Sequence, residues 1–285
     1  PAGFFITVLA TTGVLIVLAL LSVFLPVNDL NIAGMTMSVY NLISQYILII
    51  GSIVALVFLA VAGNEKRAAA GLTRQNWKSA VLIVLAFVGI YIVRTVVSVA
   101  VQGVSDGSGM QYVKEWAAMF KNPMMWLNIA ALPINYFFVF IAFFGEEYGW
   151  RYYLQPVLQK RFGLRAGVII LGVVWGLWHI PDDLFYYTQT SGIQMIFAQQ
   201  ITCISLGIFF AYAYMKTQNI WVPVCLHYLN NNLIPIISGT FSADVLENQT
   251  VSWKDLPVAL VLNGLCFGFF LLADVFKKKE VQEEE

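Results

Sequence analysis

The chain has 285 residues, 59% of them hydrophobic and 11% charged, with a mean hydropathy of +0.75. So little charge cannot cover a water-soluble surface of this size, so the solvent must be lipid. Sixteen basic and sixteen acidic residues give a formal net charge of zero, which argues against a nucleic-acid partner.

A spanning helix needs about 20 mostly apolar residues. Eight segments meet that expectation: 3–25, 38–62, 78–101, 124–145, 164–181, 193–215, 220–238 and 256–276. The first is too long for a signal-peptide core and reads as a retained transmembrane helix. Open sheets cannot sit in lipid, and the runs are too long for barrel strands. The expected fold is therefore all-α: one polytopic transmembrane domain over 1–285, a bundle of about eight helices. The fifth and seventh runs are the least apolar, because they carry His179 and, with Asn231, His227. Between the fourth and fifth, 146–163 (EEYGWRYYLQPVLQKRFG) reads as a continuation of helix four, interrupted at Pro156 and ending in a basic interfacial stretch.

Twelve of the 16 basic residues lie in or flank the even-numbered connections or follow the last helix, and three lie in the odd-numbered connections; Arg94 lies well inside a helix. The positive-inside rule then places both termini in the cytoplasm, with 277–285 as a cytoplasmic tail. Cys203, Cys225 and Cys266 lie in apolar runs without CxxC spacing and read as small buried or lipid-facing hydrophobes. Asn248, Gln249 and Thr250 fit a glycosylation sequon, a triplet common by chance.

Ionisable groups inside spanning helices are costly and point to function. At 146–151 (EEYGWR), Glu147 and Arg151 are four apart and share a helical face, so they can pair. Glu146 lies about 100° around the helix from Glu147 and points elsewhere, where it can act on a water as general base. In the second cluster, Trp175 and His179 share a face, and Gly176 allows close helix approach. Asp182 and Asp183 follow Pro181 and read as loop or capping residues. In the third, His227 and Asn231 are four apart.

Each cluster alone has a structural reading: ordinary charges at a helix end, a hydrogen-bonded histidine, a polar clasp between helices. Together they are more informative, because the chain's two histidines both fall in such helices. Two imidazoles, a carboxylate and an amide make a hydrolytic set. Zinc accepts such N and O donors, with Glu146, His179 and His227 as candidate ligands. The same groups also work without metal, Glu146 activating water and His227 with Asn231 stabilising the oxyanion. No HExxH is present.

These motifs resemble those of the CAAX protease and bacteriocin-processing (CPBP, or Abi) family. Glu146, Glu147 and Arg151 resemble its EExxxR motif, Trp175 and His179 its FxxxH motif, and His227 and Asn231 its HxxxN motif. Trp175 stands where the family has Phe; both are large aromatics. The resemblance implies an intramembrane endopeptidase classed with metalloproteases, resident in a bacterial plasma membrane. It implies a membrane-anchored or lipidated protein or peptide as substrate, with membrane lipid as the other partner. Glu146 carries over as base, His179, His227 and Asn231 as metal-binding or oxyanion groups, and Glu147 and Arg151 as supporting residues. Zinc or another divalent metal is the implied cofactor; whether it is required stays open. A non-catalytic immunity or scaffold member is the alternative, and a transporter the third reading.

One geometric tension follows from the helix rise. His179 lies about 22 Å along helix five and His227 about 10 Å along helix seven. For both to reach Glu146, helix five must begin outside the hydrocarbon or tilt strongly.

Overall fold

A computed structural model describes residues 1–25, 27–28, 30–32, 35–105, 107, 110–238 and 248–277. Lys278, Lys279 and the rest of the expected cytoplasmic tail lie outside the described residues. All eight expected segments contain helix: α1 (Ala2–Phe24), α2 (Val39–Val61), α4 (Trp77–Ser105), α6 (Pro123–Glu147), α8 (Leu164–Trp178), α10 (Gly192–Thr217), α11 (Trp221–Ser238) and α12 (Asp255–Cys266). Shorter helices lie between them: α3 (Asn64–Ala69), α5 (Met110–Met119), α7 (Gln155–Phe162) and α9 (Ile180–Phe185). A two-stranded antiparallel ribbon, β1 (Leu30–Ile32) with β2 (Met35–Met37), was not expected.

Among the described residues, six helical stretches are long and apolar enough to cross a membrane, the last being α10. Eight spans were expected, so two segments differ. Helix α11 has the expected extent but carries His227 and three consecutive asparagines, which lower its apolar character. The last segment leaves α-helical geometry after Cys266, at Phe267 (φ −122°, ψ −41°), and continues as 3₁₀ turns at Gly268–Leu272 and Asp274–Phe276. The break accompanies full burial of the Phe267 ring beside Phe87, Tyr91 and Phe209. The chain is an integral membrane protein built as a helical bundle.

Packing gathers the helices into two compact units. The first comprises Pro1–Thr73 and Ala131–Glu146. Within it, Phe4 meets Phe144 edge-on at 4.9 Å, and both rings are buried. Helices α1 and α2 come together where Gly51 leaves room for Thr11.

The second unit comprises Arg74–Ala130 and Glu147–Glu285. Its centre is α10, whose Leu206, Phe209 and Phe210 join Phe87, Trp175 and Leu226 in one apolar core. Two glycines bring α8 against α10. A Cβ on Gly172 would stand 2.6 Å from Ile204 Cα, and a Cβ on Gly207 would stand 3.5 Å from Gly172 Cα. Small residues permit such backbone approach between helices in lipid. The stretch after α6 folds back: α7 turns into α8 at Gly163, which has a φ of +90° suited to glycine. A Cβ on Gly167 would lie 2.6 Å from the Gln159 backbone nitrogen, so α7 and α8 form a tight hairpin.

Candidate active site

The site in the second unit begins where α6 stops being an α-helix. Tyr148–Leu154 winds as a π-helix, and the Gln155 N–H bonds the Trp150 carbonyl five residues back. Such π segments recur at functional sites. Arg151 lies in this segment, fully buried, and its Nε donates to Glu147 Oε2 at 2.9 Å, as the i,i+4 spacing predicts. Its Nη1 donates to the Gly207 carbonyl of α10 at 3.1 Å. The guanidinium stands 5.3 Å from the centre of Trp175 and 5.5 Å from that of Phe210. Nη2 is buried without a hydrogen-bond partner, and these ring faces supply the compensating attraction.

The other oxygen of Glu147 reaches the third motif. Its Oε1 lies 2.9 Å from His227 Nδ1. A carboxylate engaged by an arginine only accepts, so Nδ1 carries the proton and Nε2 is left as the acceptor of the neutral ring. The same logic holds for His179, which sits between α8 and α9. Its Nδ1 lies 2.8 Å from the Trp175 carbonyl, which also only accepts. Both imidazoles are thereby held as the same tautomer. Trp175 stands edge-on to both rings, at 5.9 Å from His179 and 5.5 Å from His227. The aromatic at this position is a wall shared by the two histidines and a lid on Arg151.

His179, His227 and Asn231 line one cavity of about 370 Å³. The two imidazoles, expected at different depths, thus line a single void. Accessibility rises across the set: Glu147 and Arg151 are sealed, His227 is 4% exposed, His179 is half-buried and Asn231 is exposed. Asn231 is oriented by groups the sequence reading did not single out. The Tyr91 hydroxyl of α4 donates to Asn230 Oδ1 at 2.5 Å, and Asn230 Nδ2 donates to Asn231 Oδ1 at 2.9 Å. This relay occupies the Asn231 oxygen and leaves its NH₂ as the donor. Nothing in the α4 sequence distinguishes Tyr91 from a core aromatic. Asn230 is legible only as a neighbour of Asn231.

Cys203, read as a small hydrophobe, is buried in the apolar core and also lines the cavity, with Sγ 3.8 Å from His179 Nδ1. Two other expectations change. Asp183, read as a loop or capping residue, is fully buried, and neither carboxylate oxygen has a hydrogen-bond partner. The oxyanion role expected of His227 would require a second ring proton, because its Nδ1–H is already directed at Glu147.

Glu146, the expected base, is partly exposed and belongs to the first compact unit. Glu147, next to it in sequence, is fully buried. Among the described residues, no group of three or more His, Cys, Asp or Glu side chains is gathered to hold a metal ion.

The motifs coincide with a family match. Residues 128–233 match the Rce1-like model, described as type II CAAX prenyl endopeptidase Rce1-like. A CAAX prenyl protease 2 of Methanococcus maripaludis is 27% identical over 125 residues, which cover 41% of this chain and 45% of that protein. The match thus spans less than half the length of this curated relative. No solved structure matches the chain.

Proposed function

We propose that this chain is an Rce1-like intramembrane endopeptidase that hydrolyses a peptide bond of a membrane-anchored protein or peptide. The observation that carries this reading is the single cavity lined by His179, His227 and Asn231, with His227 held from behind by the buried Glu147–Arg151 pair. A polar pocket whose imidazoles are fixed in tautomer is organised for proton transfer rather than for packing.

In this reading Glu146 is the general base. It is the motif carboxylate left partly exposed, whereas Glu147 is sealed. The water oxygen attacks the scissile carbonyl carbon as Glu146 takes one of its protons. The Nε2 atoms of His179 and His227 face the cavity as acceptors, and the Asn231 NH₂ donates to the oxyanion. Glu146 returns its proton to the amide nitrogen, the C–N bond breaks, and the products are a carboxylate and an amine.

The test is Glu146→Gln, assayed on a farnesylated C-terminal peptide in proteoliposomes. Turnover should fall by roughly 10²- to 10⁴-fold while the unfolding temperature stays that of the parent. Retained turnover removes the assignment of base. Metal dependence is read in parallel by assaying turnover in the presence of a chelator.

A further inference from the structure

Helix α4 carries a second polar feature unrelated to the histidines. Arg94 lies 17 residues, about 26 Å, beyond Trp77 in an otherwise apolar run. A cation at that depth is expensive unless an anion or a dense set of acceptors meets it. Its Nε donates to Asn263 Oδ1 of α12 at 2.9 Å, and the guanidinium stands 5.7 Å from the Tyr91 ring. Among the described residues Arg94 makes no ion pair. The same Asn263 is 2% exposed, and its Nδ2 has no hydrogen-bond partner.

Arg94, Ser98 and Gln102 recur at four-residue spacing, so they share one face of α4. They line a cavity of about 400 Å³ whose remaining wall includes Thr250, Asp255 and the start of α12. The chemistry of the lining is that of donors. Arginine has five N–H groups, one of which is used here, and Ser98 and Thr250 add hydroxyls. The carboxylate Asp255 is engaged by the Ser252 N–H at 2.7 Å. Apolar side chains, Val101, Val258 and Leu262, complete the wall.

We propose that this cavity binds a phosphate group, with Arg94 as its principal contact, and that the phosphate is the headgroup of a phospholipid. The phosphate accepts from the unused guanidinium N–H groups and from the hydroxyls. The apolar wall favours the lipid-borne form over a free ion, because it covers the glycerol and the first acyl carbons. The site neutralises the partly buried cation and ties a lipid between α4 and α12.

Delipidated protein in detergent provides the test, with phosphatidylglycerol and inorganic phosphate as separate probes. Native mass spectrometry counts bound lipid, and thermal unfolding reports stabilisation. The parent should retain one phosphatidylglycerol per chain and unfold at higher temperature with the lipid, but not with inorganic phosphate. Arg94→Gln should weaken lipid retention about tenfold or more. Ser98→Leu fills the cavity while sparing the Arg94–Asn263 bond, and should do the same if Arg94→Gln fails to fold. Stabilisation of the parent by inorganic phosphate alone supports the anion site and overturns the lipid source. Parental lipid retention by both variants overturns the proposal.

Discussion

Arg151→Met tests whether the core of the site is an ionic device or a packed one. Arg151 and Glu147 are both fully buried and 2.9 Å apart. Removing the cation leaves a sealed carboxylate whose remaining partner is one imidazole nitrogen. Breaking a buried pair from one side costs about 3–5 kcal/mol. At roughly 2–4 °C per kcal/mol for a chain of this order, the unfolding midpoint should fall by about 6–20 °C. The Nη1 bond to the Gly207 carbonyl is lost as well, but its share is contained in that range. The double variant Glu147→Gln with Arg151→Met removes both charges and keeps an amide oxygen for His227 Nδ1–H. It should therefore be more stable than Arg151→Met alone by about 2 kcal/mol or more, because no buried charge is left uncompensated. The measurement is differential scanning fluorimetry in detergent at one scan rate for the parent, the single variants and the double variant. A midpoint for Arg151→Met within about 2 °C of the parent, or a double variant as unstable as the sum of the singles, refutes the reasoning.

Two further outcomes follow from the same geometry. Tyr91→Phe removes the hydroxyl that fixes Asn230, so Asn231 should lose its orientation; turnover is expected to drop about tenfold for a stability cost near 1 kcal/mol, read by kcat and unfolding midpoint together. Gly172→Ala places a methyl 2.6 Å from the Ile204 backbone and should cost about 1–3 kcal/mol. Gly149→Ala, which meets nothing within 4 Å, is the matched control and should leave the unfolding midpoint within about 2 °C of the parent.

The helices were legible in the sequence for a simple reason: lipid leaves the backbone only intrasegment hydrogen bonds, so long apolar runs have one outcome. The pairing of Glu147 with Arg151 was legible too, because it depends on i,i+4 spacing within one turn of the chain. What escaped reading depends on partners far away in sequence. Tyr91 orients Asn230 across 139 residues, and Arg94 meets Asn263 across 169. The loss of α-helical geometry at Phe267 accompanies a side chain buried among Phe87, Tyr91 and Phe209, which apolarity alone does not mark. Seven residues of π-helix at Tyr148–Leu154 carry no distinguishing composition either; what shows there is the Glu147–Arg151 contact it accommodates.

The hydrogen-bond directions constrain the chemistry more tightly than the residue list does. Glu147 accepts from both Arg151 and His227, so its negative charge is already met by a guanidinium before the imidazole is considered. The neutral His227 ring is then the form the pair supports without further charge, and its Nε2 accepts. His179, bound through Nδ1 to a backbone carbonyl, accepts at Nε2 for an independent reason. Two acceptor nitrogens at one cavity can hold the protons of a water but cannot donate to an oxyanion. That donation falls to Asn231, whose oxygen is already occupied by Asn230. Under the proposed function the three motifs divide into a sealed positioning group, the base Glu146, a pair of acceptors and one donor, and Asn231→Asp, which replaces the NH₂ with an acceptor, is the substitution that separates this division of roles from any in which the histidines stabilise the oxyanion. It should lower kcat by about 10²–10³-fold with little change in KM, whereas histidine donors would leave kcat largely intact.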